Sequence, residues 1–245
     1  MTDRAEVTCP VCGERRAGFL AAKNGYPLFR CPACSLIFVH PMPSEDALAA
    51  VYCADEGDIS ETFYPKARSR WRRALVKALR LVRHVRGKDV LDVGCGGGFV
   101  VEAMRRAGGR AVGLDISPQS VAYARRHYPE NEFFCERLEE FARRNRTFDF
   151  VYSSEVLEHL PDVNSAMAAL AKIARPGGHL FVTTPDIGHW RVPKDVVSWE
   201  LVNPPLHLHY FNHGNLRLLF KRHGFTIAKK RFKLKPGLQV LARRT

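Results

Sequence analysis

The run Val90-Leu91-Asp92-Val93-Gly94-Cys95-Gly96-Gly97-Gly98-Phe99 sets a carboxylate at the mouth of a glycine-dense turn. Glycine lets the chain turn tightly and lets a ligand approach bare backbone. A dinucleotide fingerprint G-x-G-x-x-G/A requires a small residue at its sixth position, where this chain has Phe99. Asp92 would also repel a pyrophosphate. The turn therefore suits a ligand that carries ammonium and sulfonium groups and no phosphate. The next apolar stretch ends Val112-Gly113-Leu114-Asp115-Ile116-Ser117. A carboxylate at that point can accept hydrogen bonds from both hydroxyls of a ribose.

Two further segments could move a proton or hold an acceptor. Glu155, Glu158 and His159 fall near one side of a helical turn. Pro204-Pro205-Leu206-His207-Leu208-His209-Tyr210-Phe211-Asn212 carries two histidines at alternate positions, which face the same way if the segment is extended. Imidazole exchanges protons near neutral pH. His207, His159, Glu155 and His209 are thus the candidate catalytic residues.

Four of the seven cysteines form two Cys-x-x-Cys pairs, Cys9-Pro10-Val11-Cys12 and Cys31-Pro32-Ala33-Cys34. Two such pairs match a four-thiolate metal site, with Gly13 supplying a turn. Thiolates in a tetrahedral set favour zinc, with iron the alternative. Four protein ligands leave no open position, so the ion's role is structural. Cys53 and Cys135 read as packing residues.

These residues need elements to position them. Residues 1–43 read as a zinc ribbon closed by Pro41 and Pro43. Residues 44–88 read as a linker, with a short helix near Ser44–Tyr52 capped by Ser44, followed by a basic amphipathic helix over residues 66–86. Its apolar positions are Trp71, Leu75, Ala78, Leu79, Val82 and Val85. Its cationic remainder reads as a solvated face, a polyanion-binding face or a membrane-surface face. From residue 89 to 245 strands and helices alternate: strands at 89–93, 110–115, 132–135, 148–153 and 179–184, and helices at 97–107, 118–128, 138–145 and 162–174. A helix at 213–223 then precedes two strands, 225–230 and 238–243, that pair across Pro236-Gly237. Such alternation implies a parallel sheet covered on both faces.

In this order the motifs resemble class I S-adenosylmethionine (AdoMet)-dependent methyltransferases of the small-molecule branch. Asp89–Ala107 resembles the first motif and Gly113–Ser117 the second. Phe148–Leu160 resembles the fourth-strand motif, and Arg175-Pro176-Gly177-Gly178-His179-Leu180 the turn before the fifth strand. The resemblance implies a doubly wound, seven-stranded, mostly parallel Rossmann-like sheet whose last strand is antiparallel. It implies AdoMet as cofactor, surrounded by Asp92, Gly94, Cys95, Gly96, Asp115, Ile116, Leu138 and Ser153. Asp92, Gly94 and Gly96 would face the methionine portion, Asp115 the ribose and the stretch 136–138 the adenine. His207 to Phe211 is similar to a signature of small-molecule and sugar methyltransferases. In zinc-bearing sugar C-methyltransferases a Glu precedes that histidine, where this chain has Leu206.

The bulk properties bound the reading. The chain has 245 residues, 46% of them hydrophobic, enough for one catalytic domain and a small accessory unit. No apolar run is long enough to span a bilayer, and the first residues lack a signal-peptide core, so a cytoplasmic location is expected. The net charge of +13 invites an anionic partner. The expected acceptor is an anionic small molecule, such as a sugar nucleotide or natural-product intermediate. The alternative is RNA, held by the ribbon and the basic helix.

Overall fold

The computed structural model describes residues 6–44, 47–48 and 64–245. Ser44 Oγ accepts from the Ala47 amide at 3.2 Å, the capping expected of it. Most of the helix expected near 44–52, and Cys53, lie outside the described residues.

Strands β1 (Gly18–Lys23), β2 (Tyr26–Arg30) and β3 (Ile37–Val39) form an antiparallel sheet over the cysteine pairs. Helix α1 (Ala67–Val85) leads into the alternating part. There follow β4 (Asp89–Val93), α2 (Phe99–Arg106), β5 (Arg110–Asp115), α3 (Pro118–His127), β6 (Glu132–Cys135) and α4 (Leu138–Phe141). Then come β7 (Phe148–Ser154), α5 (Val163–Ile173) and β8 (Ala174–Thr184). The chain ends with β9 (His209–Tyr210), α6 (His213–Arg222), β10 (Phe225–Lys230) and β11 (Leu238–Arg244).

Seven strands form the central sheet in the order β10-β11-β8-β7-β4-β5-β6. Only β11 runs against its neighbours. This is the doubly wound sheet the sequence predicts. Alternation along β4 sends Val90 to one face and Leu91 and Val93 to the other. Val90 packs with Ala78, Leu81 and Val85 of α1 and with Met104 of α2. Leu91 and Val93 share a core with Phe141 of α4, Leu170 of α5 and Leu219 of α6.

The helices begin where their caps dictate. Ser117 Oγ accepts from the Ser120 amide with Pro118 in the first turn, and Asp162 accepts from the amides of Asn164 and Ser165. Asn212 and Asn215 cap α6 reciprocally, and Gly224 follows it at φ +73°.

Three expectations change. The stretch read as a helix over 138–145 is one α-turn followed by a 3₁₀ turn, Ala142–Arg144. Leu79 is not on the buried side of α1; it is 67% exposed, and the buried stripe is Ala74, Ala78, Leu81 and Val85. That stripe keeps the 3-4-residue rhythm, and Leu79 lies about 100° past Ala78 around the axis. Cys135 does not pack inside: it ends β6 exposed, its Sγ 3.8 Å from the Ile116 carbonyl oxygen.

The sheet of β1, β2 and β3 has a fourth strand from far along the chain. β9 pairs antiparallel with β3, Ile37 opposite Tyr210 and Phe38 opposite His209. Leu28, Ile37, Val39, Leu208 and Tyr210 form one core on one side of this sheet, while Val7, Val11, Leu36 and Phe38 join the core beneath α5 and α6. No described helix is long and apolar enough to cross a membrane.

Candidate active site

The parallel strands β4, β5, β7 and β8 all deliver their C-terminal ends to one edge of the sheet. The chain leaves β4 toward β5 on one side and reaches β7 on the other, so a crevice opens there. The glycine turn lies at the end of β4. Gly94 adopts φ +73°, and a Cβ on it would stand 2.3 Å from Cγ2 of Val156. The position therefore excludes any side chain twice over, by conformation and by contact. Gly96 sits at φ +51° and donates its amide to Asp115 Oδ2 at 2.7 Å.

Two carboxylates flank this bare backbone. Asp115 ends β5, and its other oxygen accepts from the Ser117 amide at 3.0 Å. Burial raises its pKa, against those amide hydrogen bonds. Asp92 is almost wholly buried, and burial pushes it up to about 8; Lys77 partly offsets this and Asp115 adds to it. A buried acid with no phosphate to repel is an incentive for a cationic ligand. Cys95 is buried too, and burial pushes its thiol well up, so it stays protonated and fills space in the turn. Ile116 is half-exposed beside Asp115, Leu138 is buried at the start of α4, and Ser153 is buried where β7 lies between β4 and β8. Tyr64, in the stretch read as a linker, also walls the turn. Its hydroxyl donates to Ser120 Oγ at 2.9 Å, and a Cβ on Gly97 would stand 2.7 Å from its ring. No motif marks this residue; only the return of the chain before α1 brings it here.

On the other side of the crevice, β7 runs into a tight bend with Glu155 at φ +57°. Glu155 Oε1 accepts from the Thr183 hydroxyl at 2.7 Å. The bend turns Glu158 inward, where Oε2 accepts from the Thr184 hydroxyl at 2.9 Å. Oε1 of Glu158 is buried with no partner and lies 4.0 Å from His159 Nε2. His159 and His207 rings meet edge to face, centroids 4.8 Å apart. His159 Nδ1 lies 2.6 Å from the Leu206 carbonyl and His207 Nδ1 2.7 Å from the Leu201 carbonyl. A carbonyl only accepts, so each Nδ1 carries the proton and each Nε2 presents a lone pair. Burial, with His207 adding to it, holds His159 down to about 4, so the ring is neutral. Burial pushes Glu158 up to about 8, with Glu155 next to it adding to the shift. One ligand atom from each of Glu158, His159 and His207 lies within 4.8 Å of the others. Two imidazoles locked through Nδ1 to backbone carbonyls, beside a carboxylate oxygen lacking a partner, form a donor set for a divalent cation.

The sequence points to proton transfer or acceptor binding at these side chains and does not show them as one cluster, because the Leu206 carbonyl that fixes the His159 tautomer is 47 residues away along the chain. His209 does not join them. It is 1% exposed on β9, stacked on Phe211, with neither nitrogen partnered by a side chain or backbone group at hydrogen-bond distance. Beyond residue 208 the chain is committed to pairing with β3, and that pairing carries the second imidazole into the core.

The four ribbon cysteines do come together. Cys9 Sγ is 3.6 Å from Cys34 Sγ and Cys12 Sγ is 3.4 Å from Cys31 Sγ, and all four sulfurs lie within 4.8 Å of one another. A tetrahedron of sulfurs around zinc has edges of about 3.8 Å. Gly13 turns at φ +79°. Cys9 is held down to about 5 by its hydrogen bond with Cys34, and Cys34 is raised by the same contact.

A surface cavity of about 620 Å³ opens at the opposite end of the strands. Arg105, Arg110, Arg146 and Arg175 line it, and each is already paired with a carboxylate. It offers no unspent charge, whereas the crevice does.

Residues 65–230 match a family described as "Methyltransferase domain". The chain belongs to this family, and its fold and crevice are those of a class I AdoMet-dependent methyltransferase. Among individual proteins, it is similar to the ubiquinone biosynthesis O-methyltransferase of Aliivibrio fischeri, 43% identical over 103 residues. That match covers 40% of this chain and 44% of the relative, so the chain spans less than half the length of the curated relatives it matches. In structure it is similar to an AdoMet-dependent methyltransferase from Mesorhizobium loti, with TM-score 0.57, 24% identity, and coverage of 70% of this chain and 98% of that one. A magnesium protoporphyrin IX methyltransferase from Synechocystis, solved with bound AdoMet, gives TM-score 0.57 at 19% identity, covering 84% of this chain and all of that one.

Proposed function

We propose that the protein transfers the sulfonium methyl group of AdoMet to a hydroxyl oxygen of an anionic small molecule held against Glu158, His159 and His207. The observation that carries this reading is the gathering of one donor atom from each of His159, His207 and Glu158 within 4.8 Å, with Oε1 of Glu158 buried and unpartnered. The acceptor oxygen attacks the methyl carbon, the carbon–sulfur bond breaks onto sulfur, and S-adenosylhomocysteine leaves. The hydroxyl proton passes to Nε2 of His207, which Leu201 has already oriented. The electrophile arrives activated, so the protein's task is alignment and removal of that proton. A divalent cation held by Glu158, His159 and His207 would occupy that Nε2 lone pair and would supply Lewis-acid polarisation in its place, lowering the pKa of the acceptor hydroxyl so that its proton leaves to water. Oxygen as the methylated atom is supported by the similarity to the A. fischeri O-methyltransferase, and an anionic acceptor by the net charge of +13.

On the cofactor side Asp92, Gly94, Cys95 and Gly96 would line the methionine portion, Asp115 would take the ribose hydroxyls, and Ile116, Leu138 and Ser153 would close on the adenine and the transferring methyl. Cys9, Cys12, Cys31 and Cys34 would hold a structural zinc ion. Their sulfur spacing fits that geometry, and four thiolates without a cation would repel one another.

Labelled methyl transfer from AdoMet into a panel of hydroxylated acids, run after chelation and again with magnesium, manganese or zinc restored singly, tests the proposal. Turnover should depend on the protein's histidines and rise on adding one of the cations. Full turnover by a His159→Ala/His207→Ala double variant would discard the acceptor assignment.

A further inference from the structure

We propose that two adjoining segments, the loop 189–194 and the end of β10 with the loop after it, residues 229–235, dock the protein on an anionic lipid surface. Three large apolar side chains stand in solvent there: Trp190 at 69%, Phe232 at 79% and Leu234 at 63% exposure. The loops are one unit, because His189 Nε2 lies 3.1 Å from the Lys233 carbonyl oxygen and donates to it. Apolar side chains scattered singly over a surface are ordinary; a group on joined loops marks a binding face. Arg191, Lys194, Lys229, Lys230, Lys233 and Lys235 lie on the same two segments, and none has a carboxylate partner among the described residues. The basic face continues onto α1, where Arg83 lines a shallow groove with Lys229 and Arg231.

Aromatic and aliphatic tips on segments that carry long cationic side chains fit a bilayer interface. The tips enter the acyl boundary while the cations meet phosphate headgroups, their methylene stems lying along the apolar zone. A second copy of this chain is a poor occupant, since two such positive faces repel. A single-stranded nucleic acid needs open aromatic faces to stack on. The Trp190 ring is already engaged by His189, centroids 5.5 Å apart, and by the Arg191 guanidinium at 4.7 Å, and Leu234 offers no face, which leaves Phe232 as a single open ring where successive bases would need several. Trp190 follows Thr184, the partner of Glu158, by so few residues that the patch lies within about 20 Å of the acceptor side of the crevice.

Sedimentation of the whole protein with vesicles of phosphatidylcholine, with and without about one-third phosphatidylglycerol, tests this. Binding should require the anionic lipid and fall at least tenfold in a Phe232→Ser/Leu234→Ser variant, with calorimetric AdoMet affinity unchanged. Trp190 emission should shift blue on binding, and the shift should be lost in Trp190→Phe. Equal binding to neutral vesicles, no binding to either, or a variant that binds like the parent would overturn the proposal. So would single-stranded RNA binding, or a dimer in sedimentation, that the double substitution abolishes while vesicles are ignored.

Discussion

The two sides of the crevice are made in different ways. The centre of the cofactor side is a single stretch, residues 90–117, in which a strand, a turn and a helix place Asp92, the glycines and Asp115 through backbone and carboxylate hydrogen bonds within that stretch, with Tyr64, Leu138 and Ser153 added around it. The acceptor side is assembled from three separate parts. Glu158 and His159 hang on a strained bend after β7, His207 arrives from the long segment beyond β8, and the ribbon holds that segment in place. The Val39 amide donates to the Leu208 carbonyl, and the Leu208 amide donates to the Glu158 carbonyl. Further bonds dock the ribbon on the helices: Asn164 Nδ2 to the Pro10 carbonyl, Asn215 Nδ2 to the Cys34 carbonyl and Arg222 to the Val11 carbonyl. A local site of the first kind tolerates damage elsewhere. An assembled site of the second kind depends on every part that braces it.

The largest effect should come from the ribbon. Cys31→Ser, or chelation of the zinc ion proposed there, should cost on the order of several kcal/mol of ribbon stability. Turnover should be lost while calorimetric AdoMet affinity changes less than threefold. A parallel loss of AdoMet affinity would show that the two sides are one unit after all. His207→Ala sharpens the contrast from within: kcat should drop roughly 10²–10⁴-fold, the usual range for a lost proton acceptor, with AdoMet binding retained. Asp115→Asn is the mirror experiment. It removes charge-assisted hydrogen bonds of about 1.5–3 kcal/mol, so AdoMet should bind about 10–100-fold more weakly, while uptake of a divalent cation at Glu158, His159 and His207 stays as it was.

A smaller effect follows from Asp92. Its pKa is pushed up to about 8 in the folded, cofactor-free protein, against about 4 in an unfolded chain. Between those values the folded state holds a proton that the unfolded state has released, so this group makes stability fall as pH rises through that window. A cationic ligand favours the ionised carboxylate, so AdoMet affinity should climb several-fold from pH 6 to pH 8. Asp92→Asn should remove both slopes, in melting temperature and in calorimetric affinity. An AdoMet affinity flat with pH in the parent would separate Asp92 from the ligand. Smallest of all, Leu79→Glu on the exposed side of α1 should move stability by less than about 0.5 kcal/mol and leave both sides of the crevice intact.

The same contrast explains what could be read in advance. The strands at 110–115, 132–135 and 225–230 were legible because apolar runs between turn residues suffice to define them, and Ser117 and Asp162 announce their helices. The turn with Asp92, Gly94 and Asp115 was legible because its chemistry is local. Leu79 misled because α1 has more apolar residues than its buried stripe can use. The Glu158, His159 and His207 cluster was visible only as separate candidates. Its joint meaning depends on carbonyls at 201 and 206 and on β9, a strand too short to show any periodicity. Tyr64 had no signal at all.

The union of Ile37 with Tyr210 also has a bearing on biosynthesis. The ribbon strands β1 to β3 leave the ribosome well before β9, so their sheet lacks its fourth strand until five of the seven central strands have followed. Closing so long a loop is entropically slow, and non-local strand pairing delays folding. During that interval β3 would lack its partner strand, and a zinc ion bound as proposed by the four thiols would hold the nascent ribbon together while it waits.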